Sequence, residues 1–230
     1  MFEYNLIQTF NYVIIYYIII VKRLRMAGKK ISIGNFKGGV GKTLISYLLY
    51  KHFPEDYELM QSDLDAVNSD VLHITDFEDF KRKGHIIKNI LSKKNLLIDT
   101  GGFLDDLQTY FFKKSDLIIV PLLLDSMSIK RTFLFIKYLL KEGINKDNIL
   151  IIINKFKKEQ QKIKDDFINY VKENYDISNF FTLNDYKSYQ KSIDEDINLI
   201  EANKKNKVLY REAVKQIKKL NDIVKNMLGE

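Results

Sequence analysis

A glycine-rich stretch, residues 37–43, separates a short apolar strand from an apolar helix and has the composition of a phosphate-binding loop. Gly38, Gly39 and Gly41 allow the backbone to fold back, so that successive N–H groups point inward at an anion. The helix that begins near Thr43 adds the positive end of its dipole. The sequence therefore predicts a polyphosphate site that is held mostly by main-chain atoms.

Two side chains at the end of this loop complete the predicted site. Lys42 supplies a mobile positive charge for the β- and γ-phosphates of a nucleotide, and the Thr43 hydroxyl is placed to ligate Mg²⁺. The predicted nucleotide-binding residues of the loop are Lys37, Gly38, Gly39, Val40, Gly41, Lys42, Thr43 and Leu44. A fortuitous glycine turn is the alternative, and the apolar strand before the loop and the helical spacing of apolar residues after it argue against that alternative.

The string Lys-Gly-Gly-Val-Gly-Lys-Thr at residues 37–43 resembles the deviant phosphate loop of the ParA/MinD family of ATPases. The resemblance implies ATP and Mg²⁺ as cofactors and a weak ATPase activity that a partner protein stimulates. In that family the first lysine, here Lys37, reaches across a two-fold interface to the nucleotide of the other subunit. The resemblance thus implies catalytic roles for Lys37 and Lys42 and a homodimer that forms on ATP binding. The alternative is that Lys37 merely faces solvent.

Two aspartates, Asp63 and Asp65, follow a second predicted strand at residues 57–62. Ligands bind at the carboxyl ends of strands in an open parallel sheet, so both carboxylates are expected at the mouth of the site. One can hold a magnesium-bound water and the other can orient the attacking water. The resemblance assigns Asp63 to the metal and Asp65 to hydrolysis, although the family usually continues with Pro-Gln and this chain continues with Ala66 and Val67. A solvated turn at the strand end is the alternative.

Two further strand ends carry candidate site residues. Asp99 ends an all-apolar segment, as expected for a parallel strand buried on both faces, and is the predicted Walker B carboxylate that bonds through water to Mg²⁺. A strand at residues 148–153 leads into Asn154, and an asparagine at this place in the family contacts the adenine edge. Lys157 stands where a guanine-specific Asn-Lys-x-Asp motif needs an aspartate, which favours ATP over GTP.

The order of these segments predicts the fold class. Three segments with phosphate chemistry follow one another along the chain, each at the end of an apolar strand. We therefore expect an α/β P-loop NTPase with a doubly wound, mostly parallel sheet and helices on both faces. A length of 230 residues suits one domain, which we expect at residues 26–230. A last helix is predicted at about residues 203–228, with Leu209, Val214, Ile217, Leu220 and Val224 among the residues of its apolar stripe.

Residues 1–25 differ from the rest of the chain. The segment from Phe10 to Val21 is almost entirely apolar, and Lys22, Arg23 and Arg25 follow it. As a membrane anchor the run is short of the roughly 20 residues that a spanning helix needs, and its trailing positive charges would keep the protein body in the cytoplasm. We favour a mis-set start codon, because Met26 directly precedes the first predicted strand.

The composition leaves two interpretations of the basic residues. The net charge of +7 permits contact with an anionic polymer or surface. Lysines are dense from residue 155 onward, and they form either an ordinary solvated face or a stripe that binds DNA without reading its sequence. The chain has no cysteine, which excludes disulfides and thiolate metal sites and fits a reducing cytoplasm.

By resemblance, these features predict a ParA-type switch that drives plasmid or chromosome partition. ATP closes the homodimer, the dimer gathers lysines into a non-specific DNA-binding surface, and hydrolysis with Asp65 releases it. A stimulating adaptor protein and a cytoplasmic, nucleoid-associated location are expected. One alternative is a MinD-like positioning ATPase on a membrane surface, anchored by the amino-terminal apolar run or the last helix. The other is a metabolic ligase on the same fold, against which Lys37 argues.

Overall fold

The computed structural model describes residues 28–62, 71–101, 105–205 and 207–230. The extension at residues 1–25 lies outside these ranges, and so do Asp63 and Asp65. The strands are β1 (Lys30–Ile33), β2 (Tyr57–Gln61), β3 (Leu72–His73), β4 (Asn95–Asp99), β5 (Leu117–Leu122), β6 (Ile149–Phe156) and β7 (Phe180–Asn184).

The helices follow the strands along the chain. They are α1 (Lys42–His52), α2 (Phe77–Arg82), α3 (Gly84–Leu91), α4 (Asp106–Lys114), α5 (Ser126–Lys141), α6 (Gln161–Tyr175), α7 (Lys187–Asp194), α8 (Leu199–Lys205) and α9 (Lys207–Leu228). The predicted last helix corresponds to the carboxyl-terminal part of α8 and to α9, and residue 206 lies outside the described residues.

The described strands form one seven-stranded sheet in the order β3-β2-β4-β1-β5-β6-β7, and every pair is parallel. The central position of β1 brings the carboxyl ends of β4 and β5 to either side of the loop that follows it. Ligand sites of parallel sheets lie at this kind of edge, where the strand order changes direction.

Helices cover both faces of the sheet. On β6, Leu150 and Ile152 pack into a core with residues of α1 and α9, whereas Ile151 packs into a core with residues of α5 and α6. A third core joins Ile98 of β4 to residues of α3 and α4. The predicted doubly wound α/β fold is confirmed.

The last helix packs on the sheet. Four residues of its predicted apolar stripe are buried in the core that contains α1, namely Val214, Ile217, Leu220 and Val224. Tyr57 of β2 also donates a hydrogen bond of 2.7 Å to Asn221 Oδ1 of α9. The prediction that Leu209 belongs to the buried apolar stripe is wrong, because this residue is 61% exposed. Within the part of the chain that the structure describes, no helix has both the length and the apolar composition that crossing a membrane requires.

Candidate functional site

The glycine-rich loop leaves the carboxyl end of β1 and leads into α1. Gly39 and Gly41 have φ angles of 75° and 101°, in the left-handed region that glycine adopts without strain. A Cβ atom built on Gly38 or Gly39 would meet no heavy atom within 4 Å, so there is open space on this side of the loop. A Cβ on Gly41 would lie 2.1 Å from Nδ2 of Asn154. Gly41 is therefore required by its backbone angle and by a close neighbour.

The amino end of α1 has the features of an anion site. Its first turn contains no acidic residue, and its N-cap residue, Gly41, has no side chain that could cap the N–H groups that begin the helix. These N–H groups have no acceptor within the helix and carry the positive end of its dipole. Together with the open loop, this arrangement suits a phosphate group.

Lys42 and Asp99 place opposite charges beside the loop, and both side chains are buried. Burial raises the pKa of the Asp99 carboxyl. The nearby polar side chains of Thr43, Gln61 and Ser46 and the charge of Lys42 lower this pKa and so act in the opposite direction. Positive charge near Asp99 therefore favours its ionised form, which is the form that binds a cation.

The oxygen atoms around Asp99 fit a magnesium ion. Asp99 Oδ1 is buried without a hydrogen-bond partner among the described residues. A buried oxygen without a hydrogen-bond donor destabilises the folded protein, and in native proteins a water molecule or an ion usually binds to such an oxygen. No group of three or more His, Asp or Glu side chains in the described ranges could hold a metal by itself. Asp99 and Thr43 therefore suit Mg²⁺, which usually takes only one or two carboxylates and shares the remaining positions among phosphates and water.

Asn35 is a site residue that the sequence analysis missed. Its Nδ2 donates hydrogen bonds of 2.8 Å to the carbonyl oxygen of Pro121 on β5 and to Thr132 Oγ1 on α5. Its Oδ1 accepts a hydrogen bond of 3.1 Å from the N–H of Lys37. Asn35 therefore fixes the start of the loop to β5 and α5. One feature of the sequence could have identified Asn35, because its amide side chain stands directly between a buried strand and the glycines.

Lys37 lies at the surface beside the loop. Its Nζ donates a hydrogen bond of 3.1 Å to the carbonyl oxygen of the adjacent Gly38. Hydrogen bonds from Ser128 lower the pKa of Asp125 at the start of α5, and the charge of Lys37 contributes to that lowering. The predicted contact of Lys37 with the nucleotide of a second subunit stays a prediction.

Asn154 is buried against the loop at the carboxyl end of β6. Its Nδ2 donates a hydrogen bond of 2.9 Å to the carbonyl oxygen of Val40, and its Oδ1 accepts one of 2.9 Å from the N–H of Lys155. Lys155 has a φ angle of 50°, which is uncommon for a residue with a side chain. The predicted contact of Asn154 with adenine stays a prediction.

The structure thus brings Lys42, Thr43, Asp99 and Asn154 together around the glycine loop. Asp63 and Asp65 lie outside the described residues, and their predicted metal and hydrolytic roles stay predictions. Both follow β2, whose last residue, Gln61, is in register with Asp99 of β4.

Comparisons with known proteins agree with this fold. A family model described as the CobQ/CobB/MinD/ParA nucleotide binding domain matches residues 31–210. No curated protein sequence matches the chain significantly.

Three solved structures are similar in fold. A McdA variant from Cyanothece in complex with ATP is 16% identical, with a TM-score of 0.61 and coverage of 88% of this chain and 97% of that one. A putative plasmid partition protein from Borrelia burgdorferi bound to AMPPNP is 18% identical, with a TM-score of 0.57 and coverage of 84% and 97%. ParA of pNOB8 bound to nonspecific DNA is 14% identical, with a TM-score of 0.51 and coverage of 65% and 76%.

Proposed function

Because the chain belongs to the CobQ/CobB/MinD/ParA nucleotide-binding family, we propose that it binds Mg·ATP and hydrolyses it slowly. One observation carries the proposal: the buried pair of Lys42 and Asp99 lies beside an open glycine loop at the amino end of α1, where the N-cap residue Gly41 has no side chain. That combination supplies N–H donors, a lysine and a carboxylate for one polyphosphate and its cation.

Each residue has a defined part in this proposal. The loop N–H groups bind the phosphate oxygens, and Lys42 contacts the β- and γ-phosphates. Thr43, Asp99 and, after β2, Asp63 hold Mg²⁺, which neutralises negative charge on the phosphates. Asp65 orients the attacking water. Asn35 keeps the loop in its binding conformation through Pro121 and Thr132.

Calorimetric titration of the full chain with ATP, with and without Mg²⁺, tests nucleotide binding. Lys42→Ala removes a charged contact worth about 1.5–3 kcal/mol, so ATP affinity should fall about 10- to 100-fold. Lys88→Ala on the exposed surface of α3 is the matched control and should bind as the wild type does. A wild-type chain that binds no ATP, or a Lys42 variant that binds normally, would refute the proposal.

The biological role that we infer is a partition switch. ATP joins two chains through Lys37, and the closed dimer binds DNA without sequence preference in the cytoplasm, on the nucleoid. An adaptor protein stimulates hydrolysis and so releases the DNA. The net charge of +7 supports a DNA partner, and so does the likeness in fold to a ParA that was solved on nonspecific DNA.

The distribution of ion pairs indicates which lysines are available to DNA. Lys157, Lys191, Lys204 and Lys215 each lie within 4.0 Å of an acidic side chain. The exposed lysines of the carboxyl-terminal half that make no salt bridge within the described residues include Lys158, Lys162, Lys187, Lys205, Lys218 and Lys219. Lys218 and Lys219 are neighbours on α9 and are the pair to change first.

Fluorescence anisotropy with DNA duplexes of unrelated sequence tests this role. Binding should require AMPPNP rather than ADP and should weaken steeply as salt rises. Lys218→Ala with Lys219→Ala should reduce the affinity and flatten the salt dependence, whereas Lys88→Ala should not. Binding that is independent of the nucleotide would refute the ATP switch, and no binding at low salt would leave the basic residues as a solvated face.

The second candidate is a MinD-like ATPase on a membrane surface. The apolar run from Phe10 to Val21 favours it, whereas the apolar face of α9 is already buried against the sheet. ATP-dependent co-sedimentation with anionic vesicles, lost when residues 10–21 are replaced by a polar linker, would support this candidate over DNA binding. A metabolic ligase on the same fold would turn over a small substrate and would have no need for Lys37.

A further inference from the structure

We propose that Gln61 is a second acceptor for the hydration shell of Mg²⁺ and that it positions the Asp99 carboxylate. The inference rests on the proposed Mg·ATP site. Gln61 is the last residue of β2, and Asp99 is the last residue of the neighbouring strand β4. The two residues are in register across the parallel pair.

The contacts of the Gln61 amide are unequal. Its Nε2 donates to Asp99 Oδ2 over 3.4 Å, which is a long hydrogen bond. Its Oε1 is buried and has no hydrogen-bond partner among the described residues. The side chain as a whole is 7% exposed. Gln61 therefore directs its donor to the carboxylate and leaves its acceptor free.

The unpaired Gln61 Oε1 lies at the same strand ends as a second buried oxygen of this kind. Among the described residues at these two strand ends, Asp99 Oδ1 is that second buried side-chain oxygen without a hydrogen-bond partner. Two buried acceptors without donors destabilise the unliganded protein, since each has lost its hydrogen bonds to water without gaining a new one. Water molecules bound to Mg²⁺ are strong donors, and Mg²⁺ gives up its water reluctantly. Both acceptors would be satisfied when the hydrated ion binds beside Asp99.

The alternative, that Gln61 is an ordinary residue of the hydrophobic core, is less consistent with its polar amide group. The neighbouring position on β2, Met60, is a fully buried apolar residue, and an apolar side chain at position 61 would avoid the unsatisfied oxygen. The Nε2–Oδ2 bond instead orients Asp99, so that Oδ1 stays available to the cation. Gln61 is a positioning residue, because it acts through Asp99 and through water.

The test compares Gln61→Met with the wild type in the full chain. Methionine has a similar volume but no hydrogen-bonding amide. Calorimetry should show ATP affinity in the presence of Mg²⁺ reduced about 5- to 20-fold, as expected for the loss of one or two hydrogen bonds. ATP affinity in EDTA should change less than about 2-fold, and the Tm of the unliganded protein should be unchanged or higher. Gln61→Leu gives the same readouts if Gln61→Met folds poorly.

Ser62→Ala is the matched control. Ser62 is the next residue and donates to the backbone carbonyl of Asp99, so it shares the location without touching the carboxylate. The ATP affinity of the Ser62→Ala variant should depend on Mg²⁺ to the same extent as that of the wild type. A Gln61 variant with normal Mg²⁺ dependence would overturn the inference, and so would one that loses ATP affinity equally with Mg²⁺ and in EDTA. A wild-type chain that shows no Mg·ATP binding would instead refute the proposed function itself.

Discussion

The side-chain nitrogen of Asn154 donates a hydrogen bond to the carbonyl oxygen of Val40, 2.9 Å away, and so joins the end of β6 to the glycine loop. The oxygen of the same amide is engaged by the N–H of Lys155. Both ends of this buried amide are therefore used within the chain. Asn35 holds the start of the loop in a similar way, so two asparagines from distant segments support it.

Asn154→Ala should weaken binding of tripolyphosphate and of ATP by the same factor. The substitution removes one hydrogen bond of about 0.5–1.5 kcal/mol from the loop, which corresponds to about a 2- to 10-fold loss of affinity. Calorimetry with both ligands measures the two factors. If ATP alone is weakened, the amide contacts the base, as the family resemblance predicts, and does not act mainly through Val40.

Gly41→Ala should abolish measurable ATP binding. The new Cβ would lie 2.1 Å from Asn154 Nδ2, and the φ angle of 101° is strained for alanine. Gly143→Ala is the matched control, because Gly143 also has a positive φ, of 82°, but a Cβ there meets no atom within 4 Å. The control should lower the Tm and leave ATP affinity intact. Combining Gly41→Ala with Asn154→Ala should recover part of the lost stability, since it removes the clash.

Lys37→Ala should prevent formation of the proposed ATP-dependent dimer and should barely change nucleotide binding by the monomer. Within its own chain the Nζ of Lys37 is hydrogen-bonded to the Gly38 carbonyl, an exposed contact of small value. Light scattering after size exclusion, with AMPPNP and with ADP, measures the mass of the complex. Lys88→Ala serves as the control for a surface lysine. A full-sized dimer formed by the Lys37 variant would contradict the cross-subunit role.

His52 should make stability depend on pH. Its Nε2 accepts a hydrogen bond from the N–H of Leu199 and its Nδ1 contacts the carbonyl oxygen of Leu48, so the buried ring is neutral with its proton on Nδ1. Burial is the main cause that lowers the pKa of His52, to about 4. The unfolded chain binds the proton at higher pH, so the contribution of His52 to stability is complete above pH 6.5 and declines as the pH falls towards 4.

Urea unfolding of the wild type and of His52→Ala, at pH 7.5 and at pH 5, checks this dependence. The alanine variant should be clearly less stable at pH 7.5, because it loses the link between α1 and α8. The difference between the two proteins should shrink by about 2 kcal/mol at pH 5. A difference that is constant with pH would mean that His52 becomes protonated without leaving its site.

The sequence predicted the phosphate loop, the strand ends and the doubly wound fold because those signals are local. Glycines beside a lysine and a threonine, and apolar runs that end in aspartate, need only neighbouring residues to be recognised. The strand predicted at residues 57–62 followed from the same local pattern and agrees with β2 to within one residue. By contrast, the exposure of Leu209 depends on how α9 is rotated against the sheet, which its own spacing could not define.

The tertiary structure alone decided which side chains support the loop. Asn35 meets Pro121 across 86 residues, Gln61 meets Asp99 across 38 residues, and Asn154 meets Val40 across 114 residues. No pattern within a segment specifies such pairs, because they arise from the order and register of the strands in the sheet. The sequence by itself therefore determined that this protein has a phosphate loop and the kind of fold that carries it. The folded sheet determined how that loop is held and which oxygens remain free beside Asp99.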